Sequence, residues 1–366
     1  MHVLHIVGAR PNFMKAAPVL RALGGNGDIR QTLVHTGQHY DPAMSDVFFQ
    51  QLEMRAADCN LGVGSGTHAQ QTAAVMQAFE PVLLERKPDL VLVYGDVNST
   101  VAAALVCSKL GVRVGHVEAG LRSRDRSMPE EINRLLTDQL SDLLFTPSAD
   151  ADENLLREGI DRAKIHLVGN VMIDTLIRLL PRTENCPKAL TAQSPYALVT
   201  LHRPSNVDDL PWLRELLSTL VGLSDHINVI FPVHPRTRQR LTDIGFSSNG
   251  VRLQLIEPLP YLEFLSLQRG AVLVITDSGG IQEETTFLGV PCLTVRENTE
   301  RPITLTKGTN QLVGRDLQQL RVTAEAILQR NSDGKQTRQS NAVPLWDGRA
   351  AERIAQIVMA QATPLR

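Results

Sequence analysis

Short apolar runs rich in β-branched residues alternate, from one end of the chain to the other, with stretches whose apolar positions recur at helical spacing. The first half predicts strands at residues 3–7, 31–36, 89–94, 112–117, 143–146 and 165–168. Between them it predicts helices at 12–23, 68–86, 100–110, 129–140 and 150–157. In the 68–86 stretch Ala73, Met76, Phe79 and Leu83 fall on one helical face. The run Leu90-Val-Leu-Val-Tyr94 is apolar throughout, as strands covered on both faces of a parallel sheet are.

The pattern then restarts, with strands predicted at 196–201, 228–233, 252–256, 271–276 and 291–295. Helices are predicted at 212–223, from Ile281 onward, at 317–329 and at 349–361. Strand–helix alternation of this kind implies parallel sheets layered with helices. The polar stretch 181–195, with Pro187 inside it, separates the two series. The expectation is therefore an α/β protein of two doubly wound, Rossmann-like domains facing across a cleft. Residues 1–169 with a returning helix at 350–366 would form one, and 170–349 the other.

Composition narrows the function classes. Of 366 residues 43% are hydrophobic and 21% charged, ordinary for a globular protein with a real core. Lys and Arg number 37 against 39 Asp and Glu, a net charge of -2, and only 4% are aromatic. Nucleic-acid binders carry a basic surplus and stacking aromatics, so that class is excluded. Cys59, Cys107, Cys186 and Cys292 stand far apart, which suits reduced thiols rather than a disulfide framework or a zinc site. The start MHVLHIVGARPNFMK lacks a basic leader and cleavage site, and no apolar run approaches the ~20 residues that span a bilayer. The expectation is a cytoplasmic protein without a membrane partner.

In open α/β sheets ligands bind beyond the carboxyl ends of the strands. After the first strand come Arg10 and Lys15, flanking a helix start opened by Pro11, an arrangement suited to an anion or to a plain strand–helix turn. Asp96 follows the 89–94 strand and reads, taken alone, as a helix N-cap before it reads as a catalytic group. Glu118 follows the next strand, where a glutamate is a poor cap and needs a partner or a task. Ser127-Met-Pro129-Glu130 fits a capping box, with Arg134 a helical ion-pair partner for Glu130.

In the second half His202 and His234 stand at equivalent strand ends, which raises the odds of a site. Asp277-Ser278-Gly279-Gly280 places two glycines between a strand and a helix, where backbone N–H groups can meet a phosphate. No dinucleotide GxGxxG follows a strand, and neither a P-loop nor a GxSxG elbow occurs. The glycine-rich 62–66 stretch reads as a loop capped by Thr67. Acidic residues show no metal-ligand spacing, so no metal and no cofactor is expected. These features imply an enzyme that handles an anionic nucleotide derivative by acid–base chemistry.

Taken in order, GARPNFMK, GDVNST, HVEAGLRS, MPEEINR, GNVMIDTL, TLHRP, PVHPR, TDSGGIQEE and TERP resemble the non-hydrolysing UDP-N-acetylglucosamine 2-epimerases over nearly the whole chain. The resemblance implies the two-domain arrangement called GT-B and inversion at C2 of UDP-N-acetylglucosamine to give UDP-N-acetylmannosamine. It implies that Asp96, Glu118 and Glu130 form the acid–base group, with His202 assisting. Arg10, Lys15 and Arg134 would hold the sugar and phosphates. His234, Ser278, Gly279 and Gly280 would bind the diphosphate, with Glu284 on the ribose hydroxyls and Arg301 nearby. It also implies a UDP-sugar as partner and a homodimer.

One region departs from well-known members, which carry QHREMLDQ where this chain has Gln38-His-Tyr-Asp-Pro-Ala-Met-Ser-Asp46, so activation by a second substrate molecule is not implied. GQHYD and MPEEINR also resemble 2-epimerases acting on UDP-2,3-diacetamido-2,3-dideoxy-glucuronic acid. That substrate, a hydrolysing relative releasing N-acetylmannosamine and UDP, and a GT-B glycosyltransferase are the alternatives.

Overall fold

A computed structural model describes residues 1–25, 27–37, 49, 51–186, 195–248, 250–333 and 343–361. These fall into two compact units, Met1–Arg178 with Pro344–Arg366, and Leu179–Val343. The expected junctions at 169/170 and 349/350 thus lie at 178/179 and 343/344. The cause is local: in the unassigned helix Val171–Leu179, Thr175 Oγ1 donates to the Met14 carbonyl at 2.6 Å. Asp174 on the same helix accepts the N–H groups of Ala350 and Ala351 at 3.1 and 2.7 Å. Before that returning helix, buried Trp346 donates from Nε1 to the Pro147 carbonyl at 3.0 Å.

The first unit holds a seven-stranded sheet of order β3-β2-β1-β4-β5-β6-β7. The strands are β1 His2–Val7, β2 Arg30–His35, β3 Cys59–Asn60, β4 Leu90–Tyr94, β5 Arg113–Val117, β6 Leu143–Thr146 and β7 Ile165–Leu167. Every neighbouring pair is parallel. The apolar β4 run is buried at all five positions, as its sequence predicts for a strand with helices on both faces. Phe79 and Leu83 of the helix His68–Arg86 pack with Leu4, Ile6, Val91 and Val93 in one core cluster.

The second unit holds six parallel strands in the order β10-β9-β8-β11-β12-β13. They are β8 Tyr196–Thr200, β9 Asn228–Pro232, β10 Leu253–Ile256, β11 Leu273–Thr276, β12 Cys292–Thr294 and β13 Asn310–Leu312. Strand order reverses between β1 and β4 in the first sheet and between β8 and β11 in the second. In doubly wound sheets those reversals open the crevice at the strand ends where ligands bind. The segments that follow these four strands are Gly8-Ala-Arg10, Gly95-Asp96, Leu201-His202 and Asp277-Ser278, the places where the sequence put its candidate chemistry.

The helices Pro235–Asp243 and Tyr261–Gly270 carry no predicted counterpart. Only Thr237 and Leu241 of the first are buried, too thin an apolar stripe for periodicity to register. The two-residue β3 and three-residue β13 are edge strands below the length at which alternation can be read.

Candidate active site

In the first unit the chain leaves β1 through Ala9 into the helix Arg10–Gly24, with Pro11 in its first turn. Asn12 fastens this turn, since its Oδ1 accepts the N–H groups of Gly8 and Ala9 and its Nδ2 donates to the Tyr94 carbonyl at 2.7 Å. The Arg10 side chain lies outside the described structure. Lys15 turns inward and forms a buried ion pair with Glu118. Glu118 therefore has a partner, and its backbone sits at φ +76°, a left-handed conformation that a non-glycine residue holds only when its surroundings enforce it. Both Glu118 N–H and Ala119 N–H reach the Phe145 carbonyl, at 3.1 and 3.0 Å.

Gly95, at φ +62°, makes the close approach possible: a Cβ there would stand 2.6 Å from Lys15 Nζ and 3.2 Å from Glu118 Oε2. Asp96 comes next and is not an N-cap. The helix Asn98–Lys109 is capped by Val97 without a side-chain bond. Instead Asp96 Oδ2 meets the Arg134 fork, Nε at 3.0 Å and Nη2 at 2.9 Å. The capping box expected at Ser127 and Glu130 does not form either. Met128 is the N-cap of Pro129–Leu140 with no side-chain bond, because Ser127 Oγ is committed to Asp125 Oδ1 at 2.6 Å. Arg134 also pairs with Glu131, a residue to which the sequence reading gave no role. Glu131 accepts the N–H groups of Ser123 and Arg124, so it shapes the loop rather than facing a ligand.

Glu130 is half-buried and lines a cavity of about 280 Å³ together with Asp96, His68, Gln71, Asn98 and Asn133. Asn133 Nδ2 donates to the Asp96 carbonyl at 2.9 Å, and Asn98 Nδ2 to Gln71 Oε1 at 2.8 Å. Thr67 caps the helix that brings His68 and Gln71 here, accepting from Gln70 N–H at 3.2 Å. Asp96 and Glu130 thus line one cavity, while Glu118 lies beside Gly95 on the side of Lys15. Residues 38–48, which hold the GQHYD departure, lie outside the described residues apart from Gly37.

Beneath this site His116 and Asp138 are fully buried, 2.7 Å apart from Nδ1 to Oδ1. Burial pushes the Asp138 carboxyl up, but His116 and Arg122 outweigh it and hold the group below the usual carboxylate value.

In the second unit His202 and His234 are brought together, their rings 6.3 Å apart between centroids. Both are exposed. Asp277, wholly buried at the end of β11, orients the first: it accepts the N–H groups of His202 and Arg203 and lies 3.0 Å from His202 Nδ1. Burial raises the Asp277 carboxyl, yet the bonds from His202, Arg203 N–H and Asn206 outweigh it and leave the group low. The sequence offered a signal for Asp277, a carboxylate directly after an apolar strand, and it went unassigned. His234 is the N-cap of Pro235–Asp243, with Nδ1 accepting from Arg236 N–H at 3.3 Å.

Gly279 and Gly280 do not link strand to helix; they are the first two residues of the helix Gly279–Leu288, whose N-cap is Ser278. A Cβ on Gly279 would stand 2.4 Å from Arg301 Nη1 and 2.5 Å from Glu300 Oε1, so only glycine lets this ion pair lie against the helix start. Arg296 reaches Glu300 at 2.8 Å, and Arg301 Nε reaches Glu283 at 2.9 Å. Unpaired helix N–H groups beside guanidinium side chains make an anion site. Glu284 is buried and accepts a 2.8 Å bond from the Tyr261 hydroxyl. Burial pushes its carboxyl up to about 7, with nearby Glu283 adding to the rise and Tyr261 and Gln268 opposing it.

Among the described residues no group of three His, Cys, Asp or Glu side chains is placed to hold a metal ion, and no helix is long and apolar enough to cross a membrane. Carboxylates and histidines at the switch points of two doubly wound sheets are the layout of an α/β enzyme. The chain belongs to the UDP-N-acetylglucosamine 2-epimerase family, whose sequence model matches residues 21–359. It is 43% identical over 98% of its length to a UDP-N-acetylglucosamine 2-epimerase of Methanococcus maripaludis, 98% of which is covered. It is also 43% identical over 97% of its length to a UDP-2,3-diacetamido-2,3-dideoxy-D-glucuronate 2-epimerase of Pseudomonas aeruginosa, 99% of which is covered. The crystal structure of the Methanocaldococcus jannaschii UDP-GlcNAc 2-epimerase in complex with UDP-GlcNAc and UDP matches with a TM-score of 0.89 and 42% identity, over 98% of this chain and all of that one.

Proposed function

We propose that this enzyme interconverts UDP-N-acetylglucosamine and UDP-N-acetylmannosamine by eliminating and re-adding UDP. The placing of Asp96 and Glu130 on one cavity, with Glu118 beside the adjoining Gly95, carries the reading, since the reaction needs groups that take a proton from C2 and return one to the other face. A base removes the C2 proton, the electrons of that bond form the C1–C2 double bond, and the C1–oxygen bond breaks toward UDP. The 2-acetamidoglucal that remains takes UDP back at C1 while an acid protonates C2 from the opposite face. Carboxylates that already hold cationic partners, as Glu118 holds Lys15 and Asp96 holds Arg134, keep fixed positions for both transfers.

The second unit holds the nucleotide in this reading. The helix start at Gly279 and the Arg301 guanidinium take the diphosphate with Ser278, Gly280 and His234. Glu284 takes the ribose hydroxyls, and His202, oriented by Asp277, assists the leaving group. Arg10 and Lys15 belong with the sugar and phosphates by the same reading. A homodimer belongs to the same reading.

Incubation with UDP-N-acetylglucosamine in D2O should give UDP-N-acetylmannosamine carrying deuterium at C2. Product without deuterium would remove C2 deprotonation, and free UDP appearing in step with free sugar would favour hydrolysis. The 43% identity to the diacetamido-glucuronate enzyme supports a second substrate, so the same assay run in parallel on that UDP-sugar decides between the two by kcat/KM.

A further inference from the structure

The loops that carry Asp96 and Glu118 both leave the sheet in left-handed backbone: Gly95 at φ +62°, Glu118 at +76° and Gly120 at +81°. Such conformations persist in a non-glycine residue only when neighbouring bonds over-determine them. Those bonds converge on one buried carboxylate. Asp138 Oδ2 accepts from Gly120 N–H at 3.1 Å and from Arg122 Nη1 at 2.7 Å. Its Oδ1 takes His116 Nδ1 at 2.7 Å, and His116 Nε2 donates to the Gly95 carbonyl at 2.8 Å. Arg122 in turn forks onto Glu158 at 2.8 and 2.6 Å, so the buried charges are met on every side.

His116 thus bridges the Asp138 carboxylate and the Gly95 carbonyl. The helix that bears Asp138 also bears Arg134 about one turn and Glu130 just over two turns toward its start, and Arg134 holds the Asp96 side chain. One helix therefore grips the Asp96 loop at three points: its side chain through Arg134, its carbonyl through Asn133, and the preceding carbonyl through Asp138 and His116. The Glu118 loop is held at Gly120 and Arg122 by Asp138 and further along, at Ser123 and Arg124, by Glu131.

We propose that Asp138, acting through His116 and Gly120, is a positioning residue that sets the separation of the Asp96 and Glu118 carboxylates and so the balance between proton removal and return on the two faces of the sugar. This rests on the epimerase reading above. Neither residue touches substrate, and misplacement of reacting groups by about 1 Å can lower a rate by about a hundredfold.

The test is Asp138→Asn in the full chain, which keeps the volume but offers an N–H where an acceptor is needed. Expected is a kcat lower by about a hundredfold, with KM for UDP-N-acetylglucosamine and the affinity for UDP within about threefold. In D2O the ratio of deuterium washed into recovered substrate to deuterium in product should shift, because the two faces lose their alignment unequally. His116→Leu should behave alike, and His116→Gln, which keeps a donor toward Gly95, should recover part of the rate. This pair carries the test if Asp138→Asn does not fold.

A folded Asp138→Asn with kcat within threefold of wild type would overturn the role, as would a proportional fall of exchange, turnover and UDP affinity together. Wild-type protein that yields no deuterated epimer would instead overturn the epimerase reading, and this role with it.

Discussion

The two units present their chemistry in opposite ways. In the first, the candidate acid–base groups are already engaged: Glu118 with Lys15, Asp96 with Arg134, and beneath them Asp138 with His116 and Arg122. In the second, His202 and His234 are exposed at adjacent strand ends, His202 against buried Asp277, and Arg296 and Arg301 lie beside the helix start at Gly279, paired with Glu300 and Glu283. The first arrangement fixes positions before any ligand arrives. The second turns its histidines outward and keeps the carboxylate that orients one of them inside. Pre-organised buried groups favour the chemical step, whereas exposed groups favour capture.

The contrast can be broken most sharply at Glu118. Glu118→Gln removes a proton-transfer group, and such groups contribute about 10²–10⁴ in rate. Turnover should fall by at least about a hundredfold while UDP binding, read by calorimetry, stays within about threefold. The change also leaves Lys15 buried without its partner, so a thermal melt should move down in parallel. Retained turnover would take Glu118 out of the mechanism.

A second lever is pH in the second unit. The Glu284 carboxyl is raised to about 7 in the fold, against an ordinary value of 4.5. The folded chain therefore keeps this proton better than the unfolded chain. Its contribution to stability is fully present below about 4.5 and is lost as pH climbs through about 7, on the order of 3 kcal/mol at full effect. Glu284→Gln should flatten that part of the stability-versus-pH curve, measured by denaturant unfolding across pH 4 to 8. UDP affinity should move the opposite way, rising with pH toward 7 as the carboxylate becomes free to accept ribose hydroxyls. An affinity that is flat with pH in the wild type would separate Glu284 from the ribose.

The smallest effect is expected at Thr67, whose cap anchors the helix lining the Asp96–Glu130 cavity. Thr67→Ala should lower stability by about 1 kcal/mol. Because the first unit's geometry depends on packed elements, kcat should respond more than UDP affinity; the reverse order would blur the contrast.

Much of this was legible beforehand. Strand ends could be placed because the β4 run and its equivalents are unbroken apolar segments, and a doubly wound sheet puts ligands at those ends. Asp96, Glu118, His202 and His234 stand out as candidates for that reason. What failed were local inferences from spacing. Asp96 was weighed as a cap and Ser127 with Glu130 as a capping box, yet Arg134 and Asp125 outcompete those local bonds across the fold. Residues acting from behind, His116 and Asp138, carry little sequence signal, because a buried carboxylate is recognisable only once the histidine it meets is known. The helix Pro235–Asp243 escaped for a related reason, being polar on nearly every face.

The returning segment has a consequence for how the protein is made. Asp174 takes its bonds from Ala350 and Ala351, and Pro147 accepts from Trp346, so the first unit is closed by residues that leave the ribosome after all of Leu179–Val343. Domains fold as units during synthesis, the N-terminal ones ordinarily first. Here the seven strands of the first sheet are all made before the second unit, yet the returning helix comes after it. A nascent chain stalled before residue 344 would carry the whole second unit and a first unit still without its returning helix, so the first unit is made first and completed last.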